Sequence, residues 1–458
     1  MSDRRLVEPR IADGLAMPRR IGAIFALSFG TTVIAIDGGI PNVALPTIAH
    51  SLGIAPSAAV LIVTVYQLVL VMTMLPLAAL GDRIGHRKIY LGGLAIFAAG
   101  SMVVLFAKSL PMLLAVRAFQ AIGAAGMLGV MAAMVRGIYP SRGLGRGLGI
   151  NSVVVTSAST LAPTIGGIVI GHAPWPWIFA AAMPFALAAL AMGRLLPAPE
   201  PRPGPYDIKG ALLFATTFFL VFAGIESATH GGPLAVSAIV TFVGIGFGIV
   251  FVRRELRSET PILPVDLLKR PPLALAASGS QFAYIALMLL LLSMPFRLQH
   301  GYGFSSTEVG AMISAWPMSM IIAAPLAGTM ADRYPASILG GIGMTVAVGA
   351  LLLLAWLPAH PSHFDLVWRL ALSGLGFGFF LSPNARMIIG AAPRERAAAA
   401  GGLIATNRFA GQTLGATLTA ILLALGLGDG SVPMLVAAGL AALAGLLSVV
   451  RLHPGFVA

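Results

Sequence analysis

The chain is almost empty of charge. Asp, Glu, Lys and Arg fill only 10% of its 458 positions, while 58% are apolar. Ordinary soluble domains carry about a quarter charged residues. A soluble fold of this length would expose more polar surface than the sequence can supply, so lipid must form part of its solvent. Its length is then best counted in spans of ~20 apolar residues. Such runs fall at 21–45, 57–80, 88–107, 111–134, 147–171, 176–196, 208–229, 234–253, 272–294, 306–330, 336–356, 365–389, 399–426 and 431–451, fourteen in all. The expectation is an all-α membrane protein with fourteen transmembrane helices. The first twenty residues are polar and basic, and the apolar run after them is too long for a signal-peptide core, so it reads as a retained first helix.

The net charge of +13 would suggest nucleic acid as a partner in a soluble protein. Here no basic segment is long or interleaved with aromatics, so no nucleic acid is expected. The basic residues instead gather in alternate loops. Arg4, Arg5, Arg10, Arg19 and Arg20 precede the first run. Arg83, Arg87 and Lys88 follow the second, and Arg136, Arg142 and Arg146 the fourth. Arg194, Arg202 and Lys209 follow the sixth, and Arg253, Arg254, Arg257, Lys269 and Arg270 the eighth. Arg333, then Arg386, Arg394 and Arg396, and finally Arg451 complete the set, 24 of the 29 Lys and Arg. The opposite loops hold Lys108 and Arg297. The positive-inside rule then places both termini in the cytoplasm, which requires an even number of spans.

Two proline- and charge-rich stretches, 197–207 and 253–271, read as linkers. They bracket one helix pair and leave six helices on either side, a 6+2+6 plan. Residues 1–20 are then a cytoplasmic tail and 21–199 a first bundle. The linker and inserted pair occupy 200–257, and the second bundle 258–458. LGDRIGHRK at 80–88 and MADRYP at 330–335 place Asp-Arg at the same point of each half. Internal repeats of this kind are typical of secondary transporters, whose substrate site lies between the halves near mid-membrane.

A charge inside the bilayer is costly and therefore presumptively functional. Asp37 lies ~12 Å in from the outer end of the first run, and Arg117 ~9 Å in from the outer end of the fourth. Their similar depths allow an ion pair or a shared water network. A carboxylate so placed holds either a proton or a cationic cargo, and binding one expels the other. Asp37 is thus the candidate proton carrier and Arg117 the group that tunes it; the alternative is a structural pair that exchanges no proton. Glu226 is either a second cation contact or an interfacial residue reaching water. Tyr66, Gln67, Tyr284 and Trp316 are candidate cavity residues, since aromatic faces suit flat or quaternary cations; ordinary packing is the alternative for each. No acid lies deep in the second half. A cation site must then depend on the first half, or the substrate is less cationic.

No catalytic constellation is present, and the eight histidines show no paired metal spacing. No phosphate-cradling GxxxxGK loop appears, which removes ATP as the energy source. The absence of cysteine excludes disulfides and thiolate metal sites. The chain is expected to be no enzyme and to use no cofactor or metal.

Four motifs give the sequence a family resemblance. AIDGGIPNVALPTIAHSLG at 35–53 carries an acid five residues before Asn-Val-Ala-Leu-Pro, with Gly39 and Pro41 as departures. ALGDRIGHRK at 79–88 supplies Asp82, Arg83, Gly85, Arg87 and Lys88 of a cytoplasmic loop motif; Ala78 and His86 depart from it. AVRAFQAIGAAG at 115–126 supplies Arg117 and Gly123, with Ala121 where glycine is usual. ASTLAPTIGG at 158–167 is similar to a fifth-helix antiporter motif through Pro163, Gly166 and Gly167, with Ala158 and Ala162 for glycines. Residues 158, 162 and 166 form a small-residue face that lets another helix approach, and Pro163 adds a kink.

Together the motifs resemble the major facilitator superfamily, and within it the fourteen-helix drug:proton antiporters of the QacA and EmrB type. The resemblance spans nearly the whole chain. It implies the major facilitator fold and proton-coupled export of amphipathic, cationic organic compounds. The charges at 82–88 become a latch between cytoplasmic helix ends. Arg408 resembles a family arginine, read here with Asp332 and Arg333 as support for a cytoplasmic gate. The partners implied are a small organic substrate, protons and membrane lipid, for a monomer in a bacterial inner membrane. Two rival readings stand beside this one. One is export of an endogenous metabolite or non-cationic compound on the same fold, and the other a non-transporting membrane receptor or structural protein.

Overall fold

The computed structural model describes residues 14–140, 143–198, 207–258, 261–392 and 396–452. Arg4, Arg5, Arg10, Arg142, Arg202 and Arg394 lie outside them, as does the side chain of Arg146. The described chain is helical throughout. Its helices run α1 Met17–Leu52, α2 Pro56–Ile84, α3 His86–Val103, α4 Leu110–Ile138, α5 Leu144–His172, α6 Trp177–Ala180, α7 Met183–Ala191 and α8 Ile208–Thr229. They continue as α9 Leu234–Glu255, α10 Pro271–Phe296, α11 Ser306–Ile313, α12 Ala315–Met330, α13 Ala336–Ala355, α14 His363–Ala391, α15 Ala397–Ala424 and α16 Val432–Val450.

Twelve spans among the described residues are long and apolar enough to cross a membrane, with α11 and α12 counting as one. Two of the fourteen expected runs are not among them. The run at 176–196 breaks into α6, α7 and a 3-10 turn at Gly193–Leu195. Pro184 has no N–H to offer the carbonyl of Ala180, where the first piece ends. The other run forms α15, continuous over 28 residues, but Asn407, Arg408, Gln412 and four threonines lower its hydropathy. Pro271 and Pro272 open α10 rather than precede it, since the first helical turn tolerates a missing donor.

Two apolar cores divide the molecule. One is built from α1–α7, with Met288, Leu292, Phe296, Ala416 and Ala420 packed into it. The other is built from α10–α16, with Val43 from α1. Helices α8 and α9 belong to neither. They pack on each other, and α8 also lies against α2 and α15. Phe214 and Phe251 of the pair meet Val71 of α2 and Leu403 of α15 in a small cluster of their own.

α1 begins and α16 finishes at one end of the bundle, here the tail end; the opposite end is the crown. Arg297, expected as an outer loop charge, is instead 7% exposed. It donates to the carbonyls of Leu354 (2.7 Å) and Ala355 (3.0 Å), capping the last turn of α13. Arg451 is 5% exposed and donates to Asn384 Oδ1 of α14 (2.7 Å) and Ser448 Oγ of α16 (2.8 Å).

Candidate functional site

Where the two cores face each other they leave a cavity of ≈ 480 Å³. α1, α2, α4 and α5 line it from one side, and α10, α11, α12, α14 and α15 from the other. Among the described residues its charged lining is Asp37, Arg117 and Arg408.

Asp37 and Arg117 meet directly. Arg117 Nη1 donates to Asp37 Oδ1 at 2.7 Å, with the side chains 1% and 2% exposed. The same nitrogen donates to Gln120 Oε1 at 3.0 Å, and Gln120 Nε2 donates to Ser101 Oγ of α3 at 3.0 Å. The guanidinium carbon lies over the rings of Tyr66 (4.1 Å to the centroid) and Phe179 (4.9 Å). A cation over aromatic rings is stabilised without a second carboxylate. Asp37 Oδ2, Arg117 Nε, the Tyr66 hydroxyl and Gln67 Oε1 have no hydrogen-bond partner. The site thus holds one satisfied contact beside several buried polar atoms that can accept a new one.

Three of the other aromatic and amide candidates fall where the cavity is. Gln67 on α2, Tyr284 on α10 and Trp316 on α12 all line it. Trp316 is 7% exposed and packs edge-on against Phe377. Glu226 is a correction. It does not line the cavity; its Oε1 accepts from Thr417 of α15 at 2.9 Å, and its Oε2 lies 3.6 Å from His230 Nδ1. It sits where α8 packs against α15, with its side chain 14% exposed.

Arg408 lines the cavity with Gln412, one turn further along the same face of α15. Asp332 pairs with Arg386 of α14, and Arg333 is exposed. At the corresponding point of the first half, Asp82 in the last turn of α2 bonds His86 at the start of α3 at 2.8 Å. Gly85 turns there with φ +108°, a conformation that favours glycine. Arg83 and Lys88 are exposed, and Arg87 is half-buried.

The fifth-helix motif divides into two faces. Ala162 and Gly166 pack on α1 beside Gly39 and Ile40, and Ala158 is buried on the same turn pattern. Pro163 and Gly167 face the other half instead, where the backbone of α11 comes close at Gly310 and Ser306. A β-carbon at Gly310 would run into the Pro163 carbonyl. Polar links across the seam gather toward the crown. Thr47 meets Ser306 at 3.2 Å, Thr164 meets Ser314 at 2.7 Å, Gln299 donates to the Val43 carbonyl at 3.1 Å, and Thr307 donates to the Gly167 carbonyl at 3.0 Å. No group of three or more metal-ligating side chains occurs among the described residues.

Comparison with known proteins gives a consistent family. The Major Facilitator Superfamily model matches residues 27–278 and 273–455. "Uncharacterized transporter YebQ" of Escherichia coli (strain K12) is 39% identical over 96% of this chain and 97% of its own length. "Multidrug efflux pump LfrA" of Mycolicibacterium smegmatis is 30% identical over 87% of this chain and 80% of its own. Among solved structures, a POT family transporter in complex with 5-aminolevulinic acid superposes with a TM-score of 0.73 at 18% identity, covering 96% of each chain.

Proposed function

Because the chain belongs to the Major Facilitator Superfamily, and so is a multi-pass membrane transporter rather than an enzyme, we propose that it exports amphipathic organic compounds with a cationic end in exchange for protons. The observation that carries this reading is the Asp37–Arg117 contact at the cavity wall, with Asp37 Oδ2 left unpartnered. An ionised Asp37 offers that oxygen to the cationic end of a cargo. A proton on Asp37 removes the charge and with it the attraction. Arg117 holds the carboxylate in place in both conditions, because its own position is fixed by Gln120, Tyr66 and Phe179. Each ligand lowers the affinity for the other, and reciprocity of that coupling makes exchange the outcome. The efflux name of the M. smegmatis relative supports the outward direction.

The plan we propose is 6+2+6 within domains 1–20, 21–199, 200–257 and 258–458, as a monomer in a bacterial inner membrane with both termini cytoplasmic. The separation of α8 and α9 from both cores supports the inserted pair, and the loop arginines support the orientation. The two breaks in α6–α7 are then one span with an interruption, which membrane helices tolerate where neighbours cover the freed backbone groups.

The test is transport of ethidium by the full chain in proteoliposomes under an imposed pH gradient. Wild type should accumulate the dye and lose it when the gradient is collapsed. Asp37→Asn should reach the membrane at normal levels yet show no gradient-driven movement. Full gradient-driven transport by that variant ends the reading.

A further inference from the structure

The charge around the cavity is uneven. Arg117 is paired with Asp37 inside the first half. Arg408 lines the opposite wall and is exposed, with its guanidinium 5.4 Å from the ring centre of neighbouring Phe409. Among the described cavity-lining residues no acid stands on its side of the seam. An arginine in such a place holds its charge at any working pH and offers a planar fork of donors. Its surroundings offer further donors. Gln412 lies one turn along on the same face. Trp316, 7% exposed, lines the same cavity, and its indole N–H has no acceptor. An unmet buried donor costs free energy until an acceptor arrives. The two walls therefore have opposite appetites: a carboxylate oxygen without a partner at Asp37, and on the other wall the charged fork of Arg408 with an unmet indole N–H at Trp316.

We infer that the preferred cargo carries an acidic group that seats on Arg408, so that amphoteric compounds are favoured over purely cationic ones. This inference rests on the transport reading above and narrows its substrate class. Arg408 Nη groups take the carboxylate or phenolate oxygens of the cargo, and the cationic end faces Asp37. The apolar wall between the poles suits a flat ring system. Rings at Tyr284 on α10 and Phe409 on α15 stand beside the arginine.

Rhodamine 110 and rhodamine 123 test the inference directly, since they differ only in a free carboxyl group against its methyl ester. Binding of each dye to the purified full-length protein in detergent is read by fluorescence anisotropy. One charge-assisted contact contributes about 1.5–3 kcal/mol, so the free acid should bind about tenfold or more tighter than the ester. Arg408→Gln should bring the two dyes close to parity, and Arg408→Lys should retain most of the preference. Equal or tighter binding of the ester by wild type overturns the inference, as does equal weakening of both dyes in Arg408→Gln. Failure of both dyes to bind overturns it too. The Asp37→Asn transport assay with ethidium is scored separately. Loss of the acid preference with intact proton-driven transport removes the anion pole alone, whereas proton-independent transport removes the exchange reading alone.

Discussion

Arg117 is the largest fully buried side chain among the described residues, and its setting explains how a charge survives there. It spends one nitrogen on Asp37 and Gln120 and lies over the rings of Tyr66 and Phe179. Removing one member of a buried pair strands the other, at a cost of about 3–5 kcal/mol. Arg117→Ala should lose that much in thermal unfolding of the detergent-purified protein. The double variant Asp37→Ala/Arg117→Ala should lose clearly less than the two single losses added together. A lysine at 117 would keep the charge but not the planar guanidinium. Tyr66→Phe should change stability by less than about 1 kcal/mol, because the hydroxyl makes no close hydrogen bond. Tyr66→Leu should lower it through loss of the ring face. Much of this pair was legible beforehand: two charges in apolar runs, at similar depths, point to each other. Gln120 and Ser101 were not, because uncharged residues carry no cost that marks them in a lipid context. Position 120 did carry a signal, since a residue three along from Arg117 shares its helix face. Arg408 and Glu226 show the reverse limit. Their depth along a helix was readable, but which way the helix faced depended on packing that the sequence left open.

Helix boundaries followed the apolar runs closely in α2, α8 and α9. They failed where proline acted inside a run, at Pro184 and again near Pro317, where the tenth run divides at Ser314. The contacts that hold the elements at the tail end were largely hidden, since they join residues far apart in the chain. Asp207 takes Arg254 at 2.5 Å, tying the start of α8 to the end of α9. Asp266 takes a two-pronged contact from Arg396, tying the segment before α10 to the start of α15. The hydrogen bond and charge of Arg396 hold the Asp266 carboxyl below its ordinary range. A lowered folded-state value means the contact stabilises above the unfolded value of about 3.9 and fades as pH falls through the folded one. Amide exchange over 265–269 should therefore be flat from neutral pH down to about 4 and rise below it, after correction for intrinsic rates. Asp266→Asn should show the faster exchange at every pH. At the crown, Gly310→Val should wedge α11 off Pro163 and Gly167. Reagents that label introduced cysteines near residue 47 should then react faster.

The two halves meet through polar links weighted toward the crown, so the exchange proposed above requires those links to part. The absence of native cysteine makes this directly measurable. With Thr47→Cys and Ser306→Cys, whose wild-type hydroxyls lie 3.2 Å apart, oxidation should stop transport and reductant should restore it. Undiminished transport by the oxidised pair would show that the crown need not open. The helix pair α8–α9 adds an asymmetry to this motion. It is laid across the line where α2 meets α15, pinned there by Glu226 on Thr417 and by the aromatic cluster around Phe214. On the other flank α5 meets α11 and α12 with no comparable cover among the described residues. A wedge driven between the halves would thus meet a splint along one edge, and along the other only the direct grip of α5 on α11 and α12, among the described residues.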